Sequence, residues 1–293
     1  MLDEYLINTE CERQFTKKFN SFQCNLDRFF RSLGLLSSYF SWYLLQINKT
    51  NLITSSVKKG DVDVLAGRLD WNDPKEFDAI FKARKHDPNL YQSNLTGPEP
   101  FETLKLAKSG GIKWPPLTDY LIGIEIKCVR SPEKGTVKSK KSSPQKNKKL
   151  QHQVCDLLQM GFDKVALLDI IANSPTPVFS PENAIASIEV MSPILQQRLP
   201  IDSPAGHWIY SIGSVIGGDE TVRGTDVLKE LRKTKDNPFL KVNQRIQSQR
   251  QEMEKKLLSI LSQFPSPRSY PVIFIDCMVC GKIHELGQPC DNH

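Results

Sequence analysis

The 293-residue chain predicts an α/β fold: a mixed central sheet flanked by helices, with a small separate tail at the C-terminus. Three observations carry this. Residues 120–129 form an aliphatic run bounded by turn formers, residues 148–161 an amphipathic helix, and residues 164–170 a second aliphatic run. Strand, crossover helix, strand is the grammar of a sheet with parallel neighbours. A fourth, for the tail, is the crowding of three of the seven cysteines into the last seventeen residues.

Taken in order, residues 1 to about 47 read as helical, because Leu26, Phe29, Phe30, Leu33 and Leu36 recur at roughly helical spacing. Two short strands are expected at 52–57 and 62–66, joined by a turn through Lys58, Lys59 and Gly60. Residues 68–118 are polar and broken by Gly97-Pro98, Gly110-Gly111 and Pro115-Pro116, which predicts a long irregular insertion with short helices near 74–85 and 100–108. After the strand at 120–129, the stretch 131–147 reads as a basic loop. In the helix that follows, Leu150, Val154, Leu157 and Leu158 share one face, and Gly161 ends it. Further strands are expected at 184–191, 207–216 and 271–276, with a polar helix at about 243–263.

The hydrophobic and charged fractions, 39% and 25%, are those of an ordinary globular protein and exclude wholesale disorder. A net charge of +6 is mild, but its distribution is uneven: residues 130–149 hold eight basic side chains and one acidic, Glu133. The N-terminal stretch carries acidic residues where a secretory signal needs basic ones, and no apolar run is long enough to span a bilayer. A cytoplasmic protein is expected, with thiols rather than a disulfide framework.

Side chains alternate between the faces of a strand, so Asp61 and Asp63 are expected on one face, with Val62 and Val64 opposite. Glu125 and Lys127 likewise share a face, opposite Ile124 and Ile126. Placing a carboxylate and an ammonium in an aliphatic strand costs desolvation free energy that folding alone gives little reason to meet. Phosphodiester hydrolysis gives a reason. Two carboxylates can hold Mg²⁺ or Mn²⁺, the metal acidifies a bound water, and a lysine stabilises charge building on phosphorus.

In these residues the chain resembles the PD-(D/E)xK nucleases, whose fold is restriction-endonuclease-like. The resemblance covers roughly residues 40–170: Asp63 in a hairpin strand, Glu125-Ile126-Lys127 in the next core strand, then a glutamine-bearing helix. It implies a nuclease core over 1–216, a helical extension over 217–270 and a tail over 271–293. It implies Mg²⁺ (or Mn²⁺) on Asp63 and Glu125, Lys127 beside the attacking water, and Gln153 supporting that water or a phosphate, with Gln151 as the alternative glutamine. The chain departs from the family in having Val62 where the motif names proline, and about sixty residues between Asp63 and Glu125. Asp61, Asp70 and Asp119 stay open as alternative first carboxylates.

The basic loop lies between the Glu-x-Lys strand and the glutamine helix. Lys134, Lys138, Lys140, Lys141, Lys146, Lys148 and Lys149 are therefore expected to contact phosphates without reading sequence. In the tail, Cys277, Cys280, His284 and Cys290 have the short spacings of a structural zinc site resembling a zinc knuckle, with His293 as an alternative ligand. His207 and Trp208 read as packing residues. The expected partner is nucleic acid, DNA before RNA, and no membrane; a homodimer would suit cleavage of both strands. The alternatives are a non-catalytic nucleic-acid-binding protein on the same fold and an RNA-processing nuclease.

Overall fold

The computed structural model describes residues 33, 41–54, 60–68, 120–130, 144–172, 181–211, 227–264, 272–277 and 280–285, and the structural statements below concern these. Eight strands form one mixed sheet. In chain order they are β1 (Ser41–Asn48), β2 (Asp61–Arg68), β3 (Leu121–Arg130), β4 (Lys164–Ala172), β5 (Gly206–Ser211), β6 (Val227–Arg232), β7 (Val272–Asp276) and β8 (Ile283–Glu285). Their spatial order is β6-β5-β4-β3-β2-β1-β7-β8. The pairs β3/β4, β4/β5 and β1/β7 are parallel, whereas β1/β2, β2/β3, β5/β6 and β7/β8 are antiparallel.

The helices are α1 (Lys49–Leu52), α2 (Pro144–Met160), α3 (Pro181–Leu195), α4 (Phe239–Val242) and α5 (Gln244–Leu261), with a 3₁₀ turn at Gln196–Arg198. Helices α2 and α5 cover one face of the sheet. Leu150, Val154 and Leu157 of α2 and Met253, Leu257 and Leu261 of α5 pack with Leu65, Leu121 and Leu167 of the strands. Helix α3 packs by Ile188, Met191 and Leu195 on Ile171 and Ile209. The opposite face buries Tyr43, Leu45, Val64, Ile122, Ile124, Ile126 and Leu168, with Leu33 against it.

The crossover β3-α2-β4 is as the sequence predicts, and Gly161, at φ 97°, supplies the left-handed residue that closes α2. Helix α2 starts at Pro144, earlier than expected, because proline fits the first helical turn, where its missing N–H has no partner to lose. Asn243 caps α5 by accepting from the Ile246 amide at 3.3 Å.

Several expectations are corrected. Residues 41–47 are strand, not helix: Trp42, Tyr43, Leu44 and Leu45 are all buried, and a strand covered on both faces reads as a continuous apolar run. The partner of β2 is therefore β1 rather than a strand at 52–57, whose beginning is instead the end of α1. Residues 184–191 lie within α3, where the buried Ile188, Met191 and Leu195 follow helical spacing that the density of β-branched residues obscured. β6 was not anticipated; it is a half-exposed edge strand rich in charge, which suits an edge. Residues 1–32, the insertion and its two expected helices, and 212–216 fall outside the described residues. Among the described residues, no helix is long and apolar enough to cross a membrane.

Candidate functional site

The β2–β3 ladder runs from Gly67 opposite Leu121 to Val64 opposite Ile124. One step further the two strands would set Asp63 against Glu125, and there the pairing changes. The Ile126 amide donates to Asp63 Oδ2 at 2.6 Å, so a side chain takes an N–H that a ladder would give to a carbonyl. On the other side of β2, Gln46 stands where the β1 register would oppose Asp63, and it is absent from that ladder. Its φ of 53° lies in the left-handed region, uncommon for a residue with a Cβ. Strain of this kind gathers at sites where surrounding structure fixes it. One consequence corrects the expected alternation: Val62 and Val64 pack into different clusters, Val62 on the helix-covered side and Val64 on the other.

Glu125 is 2% exposed, and Lys127 Nζ donates to its Oε1 at 2.6 Å. The same ammonium lies 3.9 Å from Asp63 Oδ2. The second oxygen, Glu125 Oε2, is buried without a hydrogen bond. An unsatisfied buried oxygen costs about 1–3 kcal/mol, and more when charged, unless something meets it. Asp63, Glu125 and Lys127, named from sequence alone, are thus brought together.

Asp276, at the end of β7, was missed. Its Oδ2 accepts from the Asn48 amide at 3.1 Å and from Asn51 Nδ2 at 2.8 Å, joining β7 to the corner between β1 and α1. Asn48 is the register partner of Asp61, so Asp276 and Asp61 flank one residue. Partial desolvation raises the carboxyl of Asp61, a residue exposed overall, above its ordinary range. The negative charge of Asp276 adds to this, Lys49 opposes it, and Glu125 raises it further. The signal available in the sequence was an aspartate ending an aliphatic strand, immediately before the first tail cysteine. Four carboxylates (Asp61, Asp63, Glu125, Asp276) and two ammonium groups (Lys49, Lys127) leave this end of the sheet two negative charges. All four offer oxygen, the ligand type of hard divalent cations, but among the described residues they do not form a group of three with ligand atoms within 4.8 Å of one another.

Gln151 and Gln153 differ in place. Gln151 Nε2 donates to the Arg198 carbonyl at 3.0 Å, tying α2 to the 3₁₀ turn, whereas Gln153 is half-buried on the same helix. Next to Lys127 in register stands Asp169 of β4, fully buried, which accepts from Arg198 Nη1 and pairs with His207 Nε2 at 2.7 Å. His207 is a packing residue with a definite partner. Of the basic residues, Lys146, Lys148 and Lys149 lie on α2, with Lys148 and Lys149 exposed. Lys134, Lys138, Lys140 and Lys141 lie outside the described residues, as do Asp70, Asp119, Cys290 and His293.

In the β7–β8 hairpin, one ligand atom each from Cys277, Cys280 and His284 lie within 4.8 Å of one another. The turn is held by Gly281 N donating to Cys277 O at 2.7 Å and Cys277 N to Lys282 O at 3.0 Å. Gly281, at φ 66°, gives the turn its left-handed residue. This group could hold a metal ion such as zinc. The chain matches no protein-family model, no curated protein and no solved structure.

Proposed function

We propose that the chain is a metal-dependent nuclease that hydrolyses phosphodiester bonds, DNA before RNA, on a restriction-endonuclease-like core. The observation that carries the reading is the convergence of Asp63, Glu125 and Lys127, with Glu125 Oε2 buried and unmet. The β2/β3 antiparallel pair, followed by α2 and the parallel β4, supports the core assignment. Asp63 and Glu125 would hold Mg²⁺ or Mn²⁺, which supplies an acidified water and a Lewis acid at the phosphoryl oxygen. Lys127 is anchored by Glu125 and 22% exposed, and its ammonium would stabilise the charge that develops on a phosphate held there. Lys148 and Lys149, exposed on α2, would be available to contact phosphates. Cys277, Cys280 and His284 would hold zinc as a structural ion, with Cys290 completing four ligands.

The test is cleavage of labelled duplex DNA, single-stranded DNA and RNA with Mg²⁺ or Mn²⁺ added or omitted. Glu125→Gln and Lys127→Ala are each expected to lower turnover by about 10²–10³ while the protein stays folded. Binding of nucleic acid with no turnover in any lane, wild type included, would turn the reading toward a non-catalytic binding protein.

A further inference from the structure

The thiolate–imidazole hairpin and the carboxylate end of the sheet are one construction. β7 pairs in parallel with β1, in register from Trp42 opposite Val272 to Leu45 opposite Ile275. The next residue, Asp276, is bound by the Asn48 amide and Asn51, and the one after it is the metal-group residue Cys277. His284 on β8 stands opposite Ile275 of β7, so the group fixes the hairpin from both strands. On the far side of Asn48, Lys49 N donates to Gly60 O at 3.0 Å, and Gly60 leads directly into Asp61 and Asp63.

We propose that metal held by Cys277, Cys280 and His284 positions the carboxylate end of the sheet, with Asp276 as the positioning residue that carries the effect to Asp61 and Asp63. With the metal bound, the hairpin holds β7 against β1 and sets the Asp276 carboxylate across the β1–α1 corner. Without it, the five-residue β7 is held by its ladders and by Phe274, buried in the core against Phe264, and the three-residue β8 by its ladder to β7. β8 is thus a three-residue edge strand whose ladder among the described residues is to β7 alone. The inference rests on metal occupancy of the hairpin and deepens the nuclease reading, but it does not need cleavage to be tested.

The experiment is amide hydrogen exchange on the full zinc-loaded chain, on Cys280→Ser and on Asp276→Asn. In both variants the Asn48 and Ile126 amides are expected to exchange at least about tenfold faster, while β4 amides keep wild-type protection. Asp276→Asn should retain its zinc, which separates the carboxylate from the ion. A positioning role also predicts weaker Mn²⁺ affinity by electron paramagnetic resonance in Asp276→Asn while its zinc content stays that of the wild type. Should Cys280→Ser fail to fold, stepwise chelation of the wild type replaces it; faster exchange at Asn48 before any loss in β4 supports the proposal. Unchanged exchange at Asn48 and Ile126, loss of protection everywhere at once, or a purified wild type without hairpin metal would overturn it. A wild type that neither binds Mn²⁺ nor cuts would sink the nuclease reading alone, and the exchange pattern would still decide this one.

Discussion

Asp61 shows how crowding one sign of charge shapes a side chain. Its folded pKa is raised by partial desolvation and by Asp276, so folding favours its protonated form. The sign follows: its contribution to stability is fully present below the unfolded pKa and is lost as pH rises through the folded value. Metal-free Asp61→Asn should therefore melt above the wild type at neutral pH, and the gap should close as pH falls through the carboxylate range. A calorimetric pH series checks this; an unchanged or lower Tm at neutral pH would count against the crowding. The two glutamines of α2 separate in the same way. Gln151 holds the Arg198 carbonyl, so Gln151→Ala should cost about 1 kcal/mol of stability by denaturant melt. Gln153→Ala should leave stability unchanged and lower turnover, if Gln153 is the residue that supports the attacking water. Much of this site was legible because Asp63, Glu125 and Lys127 are oddities in aliphatic strands. Asp276 was not, since nothing in its local pattern tells that β7 will dock beside β1.

At the scale of elements, the legible parts are those whose pattern has a single reading. The strands β3 and β4 were placed as aliphatic runs, helix α2 by its apolar face and Gly161, and α5 as a polar helix. The errors share a cause: β1 and α3 are dense in apolar or β-branched residues, and such runs satisfy helix and strand templates alike until tertiary contacts choose. β6 was hidden by its charges. Gly161 also offers a test of how α2 and α5 are joined. A Cβ there would come within 2.9 Å of Arg250 Cβ and 3.0 Å of the Ile246 carbonyl, in a backbone conformation that suits glycine. Gly161→Ala should destabilise by about 1–3 kcal/mol. The same region holds the Arg250 Nη2–Asp163 Oδ2 pair at 2.9 Å and Asn237 Nδ2, which donates to Leu158 O and Phe162 O at 2.8 Å each. A loss confined to a few tenths of a kcal/mol would show that this junction yields.

For the whole molecule, the placement of β7 governs how the chain must be made. β1 has two neighbours in the finished sheet, and the one it meets last is far away in sequence: Asn48 and Asp276 are separated by 228 residues. At translation rates of about 5–20 residues per second, a nascent chain carries an open β1 edge for roughly ten to forty-five seconds. That edge belongs to a strand whose Trp42, Tyr43, Leu44 and Leu45 are all destined for burial, the kind of surface that recruits other strands. A chain stopped before residue 272 should therefore self-associate in light scattering at concentrations where the full chain is monodisperse, and a monodisperse truncated chain would refute this. On the ribosome, one of the latest described strands to emerge is the one that seals the earliest described edge.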